Sequence, residues 1–143
     1  MSKAQQIYAT KARILIDNFD VMKDNTKLVN AVLKGIDKDI QVRDYAMGLT
    51  RTDNLGHYLD IWTFLTDKAT NKNAPTTIKA TVLFEMGNKP DALTALEVAS
   101  PTYSLAQLLT RVVAAGWSPE EWSAMRKELH PKVEDTIYDS KEN

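Results

Sequence analysis

Apolar residues recur along this chain at helical spacing rather than strand spacing. Leu55, Tyr58, Leu59, Trp62 and Leu65 form the i, i+3, i+4, i+7, i+10 series of an amphipathic helix, opened by Asp53 or Asn54 and running to about Lys68. Leu105, Leu108, Leu109, Val112 and Val113 repeat the pattern and predict a second buried stripe. Upstream, a first helix is read from about Lys3 to Asn18, with Ile7, Tyr8, Ala12, Ile14 and Leu15 on its apolar face. Asp24-Asn25-Thr26 breaks the pattern. A short helix follows, with Leu28, Val29, Val32 and Leu33 inward and Gly35 as its stop. The next is capped by Asp37 and carries Ile40, Tyr45, Met47 and Leu49 as its apolar positions. The run ATNKNAPTT reads as a polar loop ending at Pro75.

Punctuation residues divide the second half. Gly87 can take the left-handed conformation that ends a helix, and Pro90 has φ preset for a first helical position. Ala92, Ala95, Leu96 and Ala99 then give a face of mostly small residues, which lets two helices approach closely and predicts a tight hairpin around Gly87. Ser100 and Pro101 are read as cap and first residue of the next helix, and Gly116 as its stop. Ser118-Pro119-Glu120-Glu121 is a capping box opening a last helix, with Trp122, Met125 and Leu129 on its apolar face. No alternating run with turn chemistry occurs. The chain is therefore expected to be all-α: a compact array of about seven helices, one domain over residues 1–133, then an acidic frayed tail over 134–143.

The spacing of Gly87, Ala92 and Ala99 is similar to the second-helix signature of a tetratricopeptide repeat, with Pro101 about one turn early. The longer stretch from Gly87 to Pro119 resembles the C-terminal part of an actinobacterial family, domain of unknown function 4192. Pro101, Tyr103, Ser104, Leu105, Ala106, Leu108, Leu109, Gly116 and Pro119 carry that resemblance, and Val42-Arg43-Asp44 matches the helix that precedes them in the family. The likeness covers roughly the last two thirds of the chain. It implies a helical fold and brings no catalytic motif with it.

Composition narrows the chemistry. The 143 residues are 43% hydrophobic and 26% charged, the balance of a globular domain. Cysteine is absent, which excludes disulfides and thiolate chemistry and fits a reducing cytoplasm. No apolar run approaches a membrane span, so no membrane partner is expected. A net charge of −1 removes the bulk electrostatic case for nucleic acid. Lysines outnumber arginines 13 to 5, which, joined to an actinobacterial family, suggests a phage gene.

Candidate sites are few. His57 and Asp60 share a helix face, with Asp53 near, but two histidines in all and no HExxH spacing argue for a surface histidine and no metal. Asp17, Asp20 and Asp24 lack any sign of the cleft that acid–base catalysis needs. No phosphate-binding glycine loop and no nucleophile elbow is present, so neither a catalytic residue nor a cofactor is expected. Trp62 falls on a periodic stripe and reads as core. Trp117 follows Gly116 and is either a staple packed on the last helix or an exposed anchor. The expected function is a non-catalytic protein–protein interaction module engaging an unidentified protein near Tyr103, Trp117 and Trp122, the acidic tail being dispensable for both stability and binding. The alternative is a small-molecule-binding or regulatory helical domain.

Overall fold

A computed structural model describes residues 2–139 of the chain. Among them are nine α-helices, one 3₁₀ turn and no strand. Contacts divide the chain into two compact units, Met1–Leu49 with Arg126–Asn143, and Thr50–Met125. The pattern of apolar positions gave no sign of this division.

The first unit contains α1 (Lys3–Asp17), α2 (Phe19–Met22), α3 (Thr26–Lys38), α4 (Ile40–Gly48) and the later part of α9 (Pro119–Tyr138). Side chains cap three of these helices. Ser2 accepts from the Gln5 N–H at 3.0 Å, Asn25 from Leu28 at 3.1 Å and Asp39 from Val42 at 3.1 Å. The cap of α4 is thus Asp39, and Asp37 lies within α3. Gly35 is no stop either: it sits buried inside α3. The buried face of α1 is Ala9, Ala12, Leu15 and Ile16, while Ile7 and Ile14 face out at 49% and 39% exposure. Small alanines decide this face, because they allow closer helix approach than the larger isoleucines would.

The expected frayed tail is corrected. Helix α9 runs on through Pro131 to Tyr138, and Val133 and Ile137 join Ala9 and Tyr45 in one core cluster. A proline inside a helix costs about 3 kcal/mol. Burying two branched side chains beyond it returns about 3–6 kcal/mol, which is enough to hold the helix together. Alternating acids obscured that stripe in the sequence. Residues 140–143 of the expected tail lie outside the described residues.

The second unit contains the 3₁₀ turn Thr52–Asn54, α5 (Leu55–Lys68), α6 (Asn73–Glu85), α7 (Lys89–Leu96), α8 (Ser104–Ala114) and the first turns of α9. Helix α6 is its centre and packs on α5, α7 and α8. It begins at Asn73, inside the run read as a loop, with Pro75 in the first turn where its missing N–H costs nothing. It is buried on nearly every side. Its threonines satisfy their hydroxyls on backbone: Thr76 donates to the Ala95 carbonyl at 2.8 Å, Thr77 to Asn73 at 2.7 Å and Thr81 to Ile78 at 2.7 Å. Trp62, Ile78, Ala92 and Leu109 have no exposed surface.

Candidate functional site

The family-like segment forms α7, α8 and the turns around them. The α6–α7 hairpin closes as the glycine predicts. Gly87 has φ +83°, its N–H donates to Phe84 at 2.9 Å, and the Asn88 N–H donates to Leu83 at 2.9 Å. These are the paired bonds of a Schellman stop. Asn88 then accepts from Asp91 at 3.2 Å and opens α7. Ala92, Ala95, Leu96 and Ala99 are all buried, as their spacing requires.

The α7–α8 connection differs from expectation. Helix α8 starts at Ser104, not Pro101. Ser100 instead accepts from the Thr102 N–H at 3.3 Å, and its own N–H donates to Asn73 Oδ1 at 2.8 Å, tying the loop to the start of α6. Ser100 is therefore a turn residue, because its oxygen serves a loop N–H two residues on. Gln107 reaches back to the Pro101 carbonyl at 3.0 Å. Between this loop and α8 lies an open groove of about 410 Å³ lined by Leu96, Ala99, Pro101, Ala106, Thr110 and Arg111, among others.

Three residues were expected to engage a partner. Tyr103 stands at the N-cap of α8, half-buried. Trp117 stands just past the other end of that helix. Gly116, at φ +79°, ends α8 with a second Schellman pair, in which Gly116 donates to Val113 at 3.1 Å and Trp117 to Val112 at 3.2 Å. Trp117 also precedes the capping box of α9, which forms as its sequence dictates: Ser118 N–H donates to Glu121 Oε1 at 2.9 Å and Glu121 N–H to Ser118 Oγ at 3.1 Å. Both motifs call for an apolar residue at position 117, yet Trp117 remains 36% exposed. Trp122 has no exposed surface and belongs to the core, which removes it from the partner-binding set. Eleven helical residues, about 16 Å of α8, separate the Tyr103 end from the Trp117 end.

Leu108, expected in the core, is 40% exposed. The stripe through Leu105, Leu109 and Val112 is buried, and Leu108 lies on its outer edge. With Met86 at 44%, Leu93 at 39%, Val98 at 53% and Trp117, it makes five large apolar side chains left open between residues 86 and 117. Among the described residues the other four such side chains, Ile7, Ile14, Val21 and Ile40, are spread over the first unit.

Asp53 is exposed and pairs with Arg51 at 3.1 Å. His57 meets Tyr58 edge-on at 5.6 Å, Asp60 is exposed, and among the described residues no three metal-ligating side chains gather. Asp17, Asp20 and Asp24 are exposed. Arg43 is buried and pairs with Asp44 at 2.9 Å. Burial raises the Asp44 carboxyl above its ordinary range even though the Arg43 guanidinium pulls it down. The matched Val42-Arg43-Asp44 is thus a packing feature of α4. Sequence reasoning missed a cleft in the first unit lined by Arg13, Tyr45, Glu134, Asp135, Tyr138 and Asp139, which α1, α4 and α9 bring together from distant parts of the chain.

No helix among the described residues is long and apolar enough to cross a membrane. A protein-family model described as Domain of unknown function (DUF4192) matches residues 10–120, reaching further toward the N-terminus than the resemblance visible in the motifs. No curated protein and no solved structure matches the chain.

Proposed function

The chain belongs to the DUF4192 family, and we propose that it is a non-catalytic protein–protein interaction module whose docking surface lies on α7, α8 and their flanking turns. One observation carries this reading: large apolar side chains are left open at Met86, Leu93, Val98, Leu108 and Trp117, within a single stretch of the second unit. Exposed apolar residues concentrated in one segment favour association, because burying them against a partner recovers the hydrophobic term that folding left unused. Trp117 supplies the aromatic anchor typical of interface centres, and Tyr103 stands at the other end of α8. The α6–α7 hairpin is read as tetratricopeptide-like, on the Gly87 turn and the buried Ala92 and Ala99. That analogy supports a binding role by association of fold with function.

The partner is taken to be a protein of an actinobacterial cytoplasm, with the chain itself phage-encoded. Support comes from the family resemblance and the excess of lysine over arginine. The test is affinity capture from actinobacterial lysate, comparing the parent chain with Leu108→Lys. The reading expects one or more proteins recovered by the parent and lost with the variant, at equal melting temperature. Identical recovery by both chains would move the binding surface elsewhere.

A further inference from the structure

Two of the open apolar side chains of the first unit share one helix face. Ile7 and Ile14 are 49% and 39% exposed. Two turns of helix hold about seven residues, so on α1 they lie nearly one above the other. Their face is opposite the buried Ala9, Ala12 and Ile16. The full stripe is Lys3, Ile7, Thr10, Ile14 and Asp17, recurring at alternating four and three residues.

The stripe is symmetric about Thr10. Lys3 and Asp17 each lie seven positions from it, and Ile7 and Ile14 three and four. Thr10 is half-buried, and its hydroxyl is already engaged 2.7 Å from that of Tyr138. It therefore brings no unsatisfied polar group to the middle of the face.

The charges at the two ends are set against the helix's own dipole. Lys3 opens α1, where the dipole favours an anion, and Asp17 closes it, where the dipole favours a cation. No acid in the first turn and no base in the last offsets them. Both side chains are exposed, and neither makes a hydrogen bond or ion pair among the described residues. A second α1 laid antiparallel, about a two-fold axis at Thr10, answers each of these features. It sets Lys3 opposite Asp17 of the second copy, twice over, and each acid then lies at a helix N-terminus. Ile7 comes beside Ile14 of the second copy on both sides of the axis. A basic end, an acidic end and an apolar middle give the self-complementarity that a two-fold interface requires. A parallel pair would set Lys3 against Lys3 and Asp17 against Asp17.

We propose that two copies of this chain associate through α1, antiparallel, with Ile7 and Ile14 as the apolar seam and Lys3–Asp17 pairs at its ends. This face uses none of the residues proposed to dock a partner protein. The helix has 15 residues and is about 22 Å long. One such seam is smaller than the roughly 800 Å² per partner of a standard interface, so a weak dimer with a Kd of about 100 µM is expected. Lys11 flanks the stripe one residue from the axis, where the two copies' ammonium groups oppose each other and limit affinity.

The test is sedimentation equilibrium of the full chain at low salt, from roughly 5 to 500 µM. The parent is expected to show a monomer–dimer equilibrium, and Ile14→Lys only monomer. Asp17→Lys sets lysine against lysine at both ends and should weaken the dimer about tenfold; Lys3→Asp with Asp17→Lys should restore it. Lys11→Gln should tighten it. These positions are exposed or half-buried, and melting temperatures equal to the parent's show that each variant folds. Leu108→Lys should dimerise as the parent does, which separates this face from the docking surface of the second unit. A parent that is monomeric throughout, or a dimer that survives Ile14→Lys or is lost in Leu108→Lys, would overturn the proposal. So would weaker association in Lys11→Gln, or a double charge exchange that fails to restore the dimer. An Asp17→Lys chain that dimerises like the parent would also overturn it, since that is the behaviour of a parallel pair.

Discussion

Gly35 and Tyr8 meet so closely that a β-carbon on residue 35 would stand 2.8 Å from both Cβ and Cγ of Tyr8. The approach of α3 to α1 depends on that missing carbon. Two effects compete in Gly35→Ala. Helix propensity favours alanine by about 1 kcal/mol. Overpacking costs about 1–3 kcal/mol, and the atoms struck are at the base of Tyr8, which cannot swing away. A net loss is expected, read as a lower urea midpoint at unchanged m. In a Tyr8→Ala background the loss should shrink without vanishing, because alanine removes the ring but keeps the Cβ that is struck.

Neighbouring leucines on α8 should behave oppositely. Leu109 has no exposed surface, so Leu109→Ala is expected to cost about 2–5 kcal/mol in urea unfolding. Leu108 is 40% exposed, and Leu108→Ala should cost less than about 1 kcal/mol. Equal losses would mean that α8 is rotated about its axis from the orientation described.

The end of α9 is structural. Ile137 is fully buried and Tyr138 bonds Thr10, so removing residues 134–143 should destabilise the chain rather than leave it unchanged. Ile137→Ala alone is expected to cost about 2–4 kcal/mol. Thermal unfolding of the truncated chain checks this directly: an unaltered melting temperature would show that α9 beyond Val133 contributes nothing.

Acid should weaken the first unit through His130. Its ring stacks on Tyr45 and lies against Gly48, and its Nδ1 is sealed without a partner. Burial lowers its affinity for a proton below the ordinary value of 6.5; Arg126 acts in the same direction and Glu134 against it. A depressed folded-state value means that the unfolded chain binds the extra proton first. Stability is therefore full above about pH 6.5 and falls as pH drops toward the folded-state value. Asp44 acts with the opposite sign at lower pH, since burial raises its folded-state value above 3.8. Urea midpoints at pH 7.5, 6.5 and 5.5 should fall in that order, and less steeply in His130→Gln. A flat profile in the parent chain would contradict this.

The helical class and most turns were legible because single residues enforce them. Gly87 and Gly116 take positive φ, and Ser118 with Glu121 closes its box without help from distant residues. Phase was harder to read. On α1 and α4, Ile7, Ile14 and Ile40 face solvent while Ala9, Ala12 and Ala46 are buried beside Ile16, since close approach rewards small residues. The helix that ends at Gly87 was expected, but its start at Asn73 lay inside the run read as a polar loop, because the threonines on its buried sides look polar until Thr76 bonds the distant Ala95 carbonyl and Thr77 and Thr81 bond carbonyls of their own helix. The interaction candidates were only half legible. Trp117 and Trp122 occupy similar positions in the text, and only packing leaves one open and seals the other. The cleft around Tyr45 was invisible, because Arg13, Tyr45 and Glu134 meet only once the first unit has folded.

The claim that α7, α8 and their turns form a docking surface is tested most directly at Trp117. In Trp117→Ala, melting temperature and affinity for the protein captured from lysate are measured side by side. An anchor at 36% exposure predicts a melting temperature within a few degrees of the parent and affinity reduced about thirtyfold or more. A sharply lowered melting temperature with affinity intact below the transition would make Trp117 a staple between α8 and α9 and contradict the account.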